Sequence, residues 1–351
     1  WRLDRLRPHT KYVYEIRSPQ NRSTDAAGQE FWTAPRRDEP TVATLAFGSC
    51  AREDAGSSGV WTQMAAEDPD VVVLLGDTPY IDSTDLARQR TRYQQFAEVE
   101  AFAQLLKSRS WYATWDDHDF GRNDTDGDLP GKETSRQVFA EYHANPSYGD
   151  GNEGIYARFR RGPVEVFLLD ARYFAGVEPS PFDPQKPTLL GSKQWRWLQE
   201  GLRRSTAPFK VLAAGMIYNG AVRPNKPDHW GAYEHHRQAV LESIGEEQIA
   251  GVVLVGGDIH RTRVLRYDTT KTAGYPITEL ITSPIHDGII EEANAPHPAL
   301  VFDAGMPHSY LLMEVDARRS PAVLTAQFKN AGGETFHSER LVAAELRAAA
   351  V

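Results

Sequence analysis

"DPDVVVLLGDTPYID" (residues 68–82) carries five consecutive apolar residues, Val71 to Leu75, closed by Gly76 and Asp77. An unbroken apolar run of this length between polar flanks reads as a central strand buried on both faces. "TVATLAFGSC" (41–50) has the same form and ends in Cys50. So do "SWYATWDDHD" (110–119), "VFLLDAR" (166–172), "FKVLAAGMIYN" (209–219) and "IAGVVLVGGDIH" (249–260). Helical spacing lies between them in "DLARQRTRYQQFAEVEAFAQLL" (85–106), "GSKQWRWLQEGLRRS" (191–205), where Ser192 is the expected cap, and "HHRQAVLESIGEEQ" (235–248). After Arg261 the chain turns strand-rich: "TRVLRYD", "TELITSPI", "SYLLMEVD", "AVLTAQFK" and "ETFHSERL". The alternation predicts an α/β sheet sandwich flanked by helices, with its chemistry at the carboxyl ends of strands.

Residues 1–38 follow another pattern. Tyr12, Tyr14 and Ile16 alternate in "LRPHTKYVYEI" (6–16), and "QEFWTAP" (29–35) is a second strand beyond the loop "SPQNRSTDAAG" (18–28). Two strands alone are marginally stable. This segment is expected either to pack on the main domain, residues 39–351, or to be the last strands of a β-sandwich-like domain. The chain opens at Trp1 without an initiator methionine, read here as a processed or trimmed N-terminus.

The composition is that of a globular protein, 40% hydrophobic and 25% charged over 351 residues. The net charge of −9 gives no general attraction for nucleic acid, so an anionic substrate needs a local positive centre. No apolar run is long enough to span a bilayer. Cys50 is the single cysteine, which excludes an intramolecular disulfide.

"TWDDHDFGRND" (114–124) crowds Asp116, Asp117, Asp119 and Asp124 around His118. Trp111 and Trp115 nearby argue that this loop is partly buried, where unpaired carboxylates repel and are costly to desolvate. A bound cation removes that conflict. The strand ends supply further ligand atoms: Cys50, Asp77 with Tyr80, Asp117 with His118, Asn219, and Asp258 with His260. Thiolate, imidazole and oxygen donors together suit a transition metal paired with a harder cation. Asn123, the amide of the same stretch, is included among the metal-binding candidates. Taken singly the signals are weaker. Asp77 is equally a turn-forming Asp, Cys50 a small buried hydrophobe, and Asp258 with His260 a turn acid and a core imidazole. On an extended backbone those last two side chains point the same way.

Other residues carry two readings each. Arg172 is either a planar fork for a phosphate oxygen or a structural salt bridge to Asp170 or another acid. Asp119 is the orienting partner of His118 or a plain loop acid. His235 and His236 read as surface or capping residues, His286 as a weak candidate for the cleft, and Trp195 with Trp197 as helix packing.

In order and spacing, "FGSCAR", "LLGDTPYID", "WDDHDFGRND", "VFLLDARY", "TLLGSKQWRWLQEGL" and "GGDIH" resemble the PhoD-type alkaline phosphatases, a branch of the calcineurin-like metallophosphoesterases. The resemblance runs from about Leu45 onward, and "LRPHTKYVYEI…EFWTAP" is similar to the last strands of the β-sandwich preceding that family's catalytic domain. It implies a four-layer αββα fold and metal-dependent hydrolysis of phosphate monoesters or diesters by a metal-activated hydroxide. Cys50 stands at the family's thiolate ligand, Asp77 at its bridging carboxylate, and Tyr80 at its tyrosine ligand. Asp117 replaces the asparagine of the superfamily's Gly-Asn-His block, and His118 matches its catalytic histidine. Asp258 and His260 stand where the superfamily has two histidines. The implied metals are Fe(III) and Ca2+, with Mn2+ or Zn2+ as the alternative binuclear pair. The implied partner is a small phosphate ester, with no stable nucleic-acid partner, and the implied location is outside the cytoplasm. A phospholipase-type phosphodiesterase or a non-catalytic metal-binding surface module are the rival readings. The strand "LAAGMIYNG" lacks the histidine the superfamily places there, so Asn219 is a weak ligand candidate.

Overall fold

The computed structural model describes residues 3–15, 29–107, 109–220, 226 and 228–348. Ile16, the expected 18–28 loop and part of the 219–232 loop lie outside the described residues. Strands β1 (Lys11–Tyr14) and β2 (Gln29–Trp32) form a two-stranded antiparallel sheet of their own, with the stacked rings of Tyr12 and Phe31 opposite each other.

The main body alternates strands and helices. It runs β3 (Val42–Gly48), α1 (Ala55–Ala66), β4 (Val71–Leu75), α2 (Leu86–Ala97), α3 (Glu100–Lys107) and β5 (Ser110–Thr114). The single-turn α4 (Asp117–Phe120), α5 (Lys132–Tyr142), β6 (Ala157–Arg161), β7 (Val164–Leu168), α6 (Gly191–Arg204), β8 (Phe209–Ala213), α7 (Glu234–Glu246) and β9 (Val252–Gly256) follow. The chain closes with β10 (Thr262–Tyr267), β11 (Ile277–Ile281), β12 (Leu300–Ala304), β13 (Ser309–Asp316), β14 (Val323–Asn330) and β15 (Thr335–Val342). One sheet has the order β15-β14-β13-β3-β4-β5 and the other β12-β10-β11-β9-β8-β7-β6.

The opening strand shows why the layers stack as they do. Val71, Val73 and Leu75 of β4 join a core with Val166 of β7 and Val211 of β8, between the two sheets. Val72 and Leu74 point the other way, into a second core with Trp61 of α1 and Phe96 of α2. Period-two alternation thus splits one apolar run between two cores. Each valine so buried contributes about 1.5–3 kcal/mol over an exposed one. On the far side, Leu198 and Leu202 of α6 and Val240 and Ile244 of α7 cover the second sheet. The result is the four-layer αββα sandwich.

Three local expectations need correction. Ser192 lies inside α6; the first N–H groups there donate instead to Thr188 Oγ1 (2.9 Å, from Gly191) and Glu178 Oε1 (2.7 Å, from Ser192). The helical stretch 85–106 breaks at Glu98 into α2 and α3. His236 is fully buried against the rings of Phe182 and Trp195, while its neighbour His235 bonds the Pro187 carbonyl. Among the described residues, no helix is long and apolar enough to cross a membrane.

Candidate metal centre

Strands β3, β4 and β5 run parallel, as do β7, β8, β9 and β11, so their carboxyl ends deliver loops to one place. Gly76 makes the approach possible. Its φ is +93°, and a Cβ there would lie 2.2 Å from the Asp116 nitrogen, so only glycine lets the β4 and β5 loops meet.

Two groups of side chains converge and share Asp77. On one side are Cys50, Asp77 and His260, with ligand atoms within 4.8 Å of one another. The Cys50 thiol donates to Asp77 Oδ2 (3.5 Å) and accepts from Ser283 Oγ (3.2 Å). The Tyr80 hydroxyl bonds both His260 Nε2 (3.0 Å) and His286 Nε2 (2.9 Å). On the other side Asp77 meets Asp117 and His118, and Asp117 in turn joins Asp116 with Asp258, and Asp124 with Asp228.

The electrostatics of this frame are those of a cation site. Asp77, Asp116, Asp117, Asp119, Asp124, Asp228 and Asp258 face only two cations among the described residues, Arg172 and Lys226. Burial pushes Asp77 well above the carboxylate range, helped by Asp117 and Asp116. Burial likewise holds Asp119 and Asp228 up at about 7. At Asp117 burial is outweighed by Arg172 and Lys226, which hold it below the usual range. Burial also raises the Cys50 thiol far above its ordinary value, so it is protonated in this frame; a bound cation would reverse that. Asp116 Oδ2, Asp228 Oδ1 and Asp258 Oδ2 are buried without a hydrogen-bond partner, a costly arrangement for carboxylate oxygens unless they are ligands. The donor set therefore fits metal ions.

The geometry reassigns several residues. The carboxylate on His118 Nδ1 is Asp82, at 2.6 Å, rather than Asp119. Asp119 Oδ1 accepts the Asp116 N–H at 2.6 Å and so caps its own one-turn helix α4. Arg172 is 1% exposed and makes the ion pair of its second reading: Nε donates to Asp116 Oδ1 (2.7 Å), Nη1 and Nη2 to Asp228 Oδ2 (3.0 and 3.1 Å), and Nη1 also to the Thr125 carbonyl (3.2 Å). The guanidinium holds carboxylates in place of a phosphate oxygen, and of Arg172 only the backbone N–H donates to Asp170. Asp258 and His260 do not point the same way. The strand ends at Gly256, both residues have positive φ, and they fall into different ligand groups. Asn219 bonds His297 (2.9 Å), and Asn123 is exposed on the turn after α4. His286, the weak cleft candidate of the sequence, stands in the site, and Asp82, Lys226 and Asp228, which the sequence did not single out, complete it.

The sequence profile of the PhoD-like phosphatases matches residues 45–318. The chain belongs to that family. It is 26% identical over 321 residues to alkaline phosphatase D of Bacillus subtilis (strain 168), a match covering 77% of this chain and 54% of the relative. The chain thus spans about half the length of the curated relative it matches. The solved structure of PhoD superimposes with a TM-score of 0.77 at 21% identity, covering 97% of this chain and 75% of that one. A purple acid phosphatase from yellow lupin (Lupinus luteus) seeds gives a TM-score of 0.68 at 12% identity, over 97% of this chain and 61% of its own. These structural likenesses establish the metallophosphoesterase sandwich as the fold of this PhoD-like chain.

Proposed function

We propose that this PhoD-like chain hydrolyses phosphate esters, monoesters, diesters or both, at the site where two groups of candidate metal ligands share Asp77. The observation that carries the reading is the division of donors about that residue, with thiol, phenol and imidazole on one side and carboxylates on the other. The first set suits Fe(III), which Cys50, Asp77, Tyr80 and His260 would hold, with His286 adjacent. The second suits Ca2+, which Asp77, Asp117 and Asp258 would hold, with Asp116 in reach. Cations held by these residues would supply a nucleophile from water at neutral pH and would offset the charge on the phosphoryl oxygens.

The chain's own groups do the rest. His118 is fixed through Nδ1 by Asp82, which leaves Nε2 to deliver a proton to the leaving alkoxide. Its side chain is 20% exposed, so a substrate at the mouth can reach it. Arg172 holds Asp116 and Asp228 in register, and Asp119 sets the turn that presents Asp117 and His118; both are positioning residues. The same reading divides the chain into residues 1–38, whose strands join neither main sheet, and a catalytic domain from 39 to 351. It takes a small phosphate ester as the partner, without a stable nucleic-acid partner, and places the protein outside the cytoplasm.

The test is metal analysis and a visible absorption spectrum on one purified sample, with turnover of an aryl phosphate monoester and diester. Iron and calcium with a charge-transfer band, lost together with turnover in Asp77→Asn, is the expected result. A colourless manganese or zinc protein with turnover overturns the metal assignment alone. Full turnover in Asp77→Asn, or in a His118→Ala variant, refutes the mechanism.

A further inference from the structure

Lys226 stands among the carboxylates of the centre with its side chain 5% exposed. Its Nζ donates to Asp258 Oδ1 (2.5 Å) and lies 3.3 Å from Asp228 Oδ2 and 3.6 Å from Asp124 Oδ1. These acids come from three loops, one following α4, one preceding α7 and one following β9. An ammonium has three hydrogens and no lone pair, so three surrounding carboxylates suit it. A lysine this enclosed is costly to desolvate unless it is paired in such a way.

The place it takes is also suited to a divalent ion. Asp117, Asp124 and Asp228 bring ligand oxygens within 4.8 Å of one another. Calcium binds oxygens at about 2.3–2.6 Å, so ligands on opposite sides of it stand roughly 5 Å apart. The Asp124 side chain is 37% exposed, which gives this lobe a route to solvent. Fixed cations already hold its carboxylates. Asp228 Oδ2 accepts from Arg172 Nη1 and Nη2 (3.0 and 3.1 Å) while Lys226 approaches it at 3.3 Å. Asp258 gives Oδ1 to Lys226 and keeps Oδ2 without a hydrogen-bond partner. The lysine thus engages Asp124, Asp228 and one oxygen of Asp258. It leaves Asp77, Asp117 and the other Asp258 oxygen to the calcium proposed above.

We propose, on the strength of that calcium reading, that Lys226 is a tethered counter-ion that keeps a second calcium ion out of the Asp124–Asp228 lobe. The carboxylate side of the centre then takes one calcium. A divalent ion on Asp124 and Asp228 would compete with Lys226 for both carboxylates. It would also meet the ammonium charge at close range in a buried site, where repulsion is poorly screened. A lysine cannot be removed by a chelator, so these three loops keep a cation between them whether or not metal is bound.

The experiment is equilibrium dialysis of the full chain against calcium, with calcium and iron counted on the recovered protein. It compares wild type, Lys226→Gln, and Lys226→Gln combined with Asp124→Gly, since glycine suits the positive φ at 124. Wild type is expected to hold one calcium per chain and Lys226→Gln two, because the amide drops the charge and offers an oxygen ligand. Asp124→Gly in that background returns the count to one and so places the added ion. Two calcium ions on wild type, one on a folded Lys226→Gln, or two on the double variant each overturns the inference and leaves the calcium reading standing. No calcium on any of the proteins overturns both. Should Lys226→Gln fail to fold, the wild-type count decides: one supports the exclusion and two refutes it.

Discussion

Replacing Arg172 by Met separates its two readings. The guanidinium is buried against Asp116 and Asp228, with nitrogen–oxygen distances of 2.7 and 3.0 Å. Methionine keeps much of the volume but leaves two buried carboxylates with Lys226 as their remaining neighbouring cation. Breaking a buried pair by removing one partner costs about 3–5 kcal/mol. The unfolding entropy of a chain of 351 residues, at about 2.1 cal/mol/K each, is roughly 0.7 kcal/mol/K. The melting temperature should therefore fall by about 4–7 °C, measured by calorimetry in the presence of a chelator so that metal binding does not mask the loss. Arg172→Lys should lie between wild type and Met, since a point charge cannot serve both carboxylates as the planar fork does. Asp228→Asn should recover part of the loss in the Arg172→Met background, because it removes one of the stranded charges. A variant that melts within a degree of wild type and shows its defect only as a raised KM would refute the ion-pair reasoning and return Arg172 to the phosphate.

Glu279 is fully buried, accepts from Tyr267 and the Tyr218 N–H, and is raised by burial from 4.5 to about 7. The folded carboxyl keeps its proton where the unfolded one has lost it. Stability is therefore intact below pH 4.5 and falls by about 3 kcal/mol as the pH rises to 7. Asp119 and Asp228, also held up at about 7, cost stability over the same window in both proteins. Urea titrations should therefore show a shallower fall in Glu279→Gln, by about the Glu279 share, than in wild type; parallel curves would disprove it. Gly76→Ala, with its Cβ driven into the Asp116 backbone, should cost at least about 2 kcal/mol and abolish metal retention, read by denaturation and metal analysis. Asp82→Asn should keep metal and stability, since the carboxylate is half-exposed, yet lower kcat about 10–100-fold. Unchanged kcat there would remove Asp82 from the proton-delivery step.

The sandwich was legible because strands buried on both faces have nothing polar to hide, so β3, β4, β8 and β9 stand out as apolar runs. Their ends identify themselves by the abrupt change to Cys50, Asp77 and Asp258. The partners across the site were harder to see. Asp119 is adjacent to His118 in sequence, but a single helical turn bends its carboxylate back onto the Asp116 N–H, and Asp82 arrives from the preceding loop. Lys226, Asp228 and His286 sit in irregular segments, where no periodicity says which way a side chain turns. The period-two argument for Asp258 and His260 failed for the same reason: it holds on a strand, and the strand had ended.

That ending is also where the fold stores strain. Cys50 (φ +56°), Asp77 (+52°), Asp82 (+55°), Asp124 (+59°), Asp258 (+67°) and His260 (+51°) all adopt the left-handed region without being glycine. At about 1–2 kcal/mol each, the six together approach the whole net stability of a typical domain. Adding carboxylate repulsion makes the loops unstable as separate pieces. What offsets both is that the loops bond to one another. Cys50 N–H donates to the Gly76 carbonyl (3.3 Å) and Ala51 N–H to that of Asp77 (3.0 Å). The N–H groups of Ile81 and Asp82 share the His118 carbonyl at 3.0 Å each, and His286 N–H donates to the Cys50 carbonyl (3.0 Å). Each loop is thus anchored at one end by a buried strand and at the other by its neighbour's backbone. Relaxing φ at Cys50, Asp77 or Asp82 would break a bond to the next loop, so the strain there persists. A cation entering such a frame meets ligands already assembled, and its binding energy goes into relieving their mutual repulsion rather than into ordering the chain.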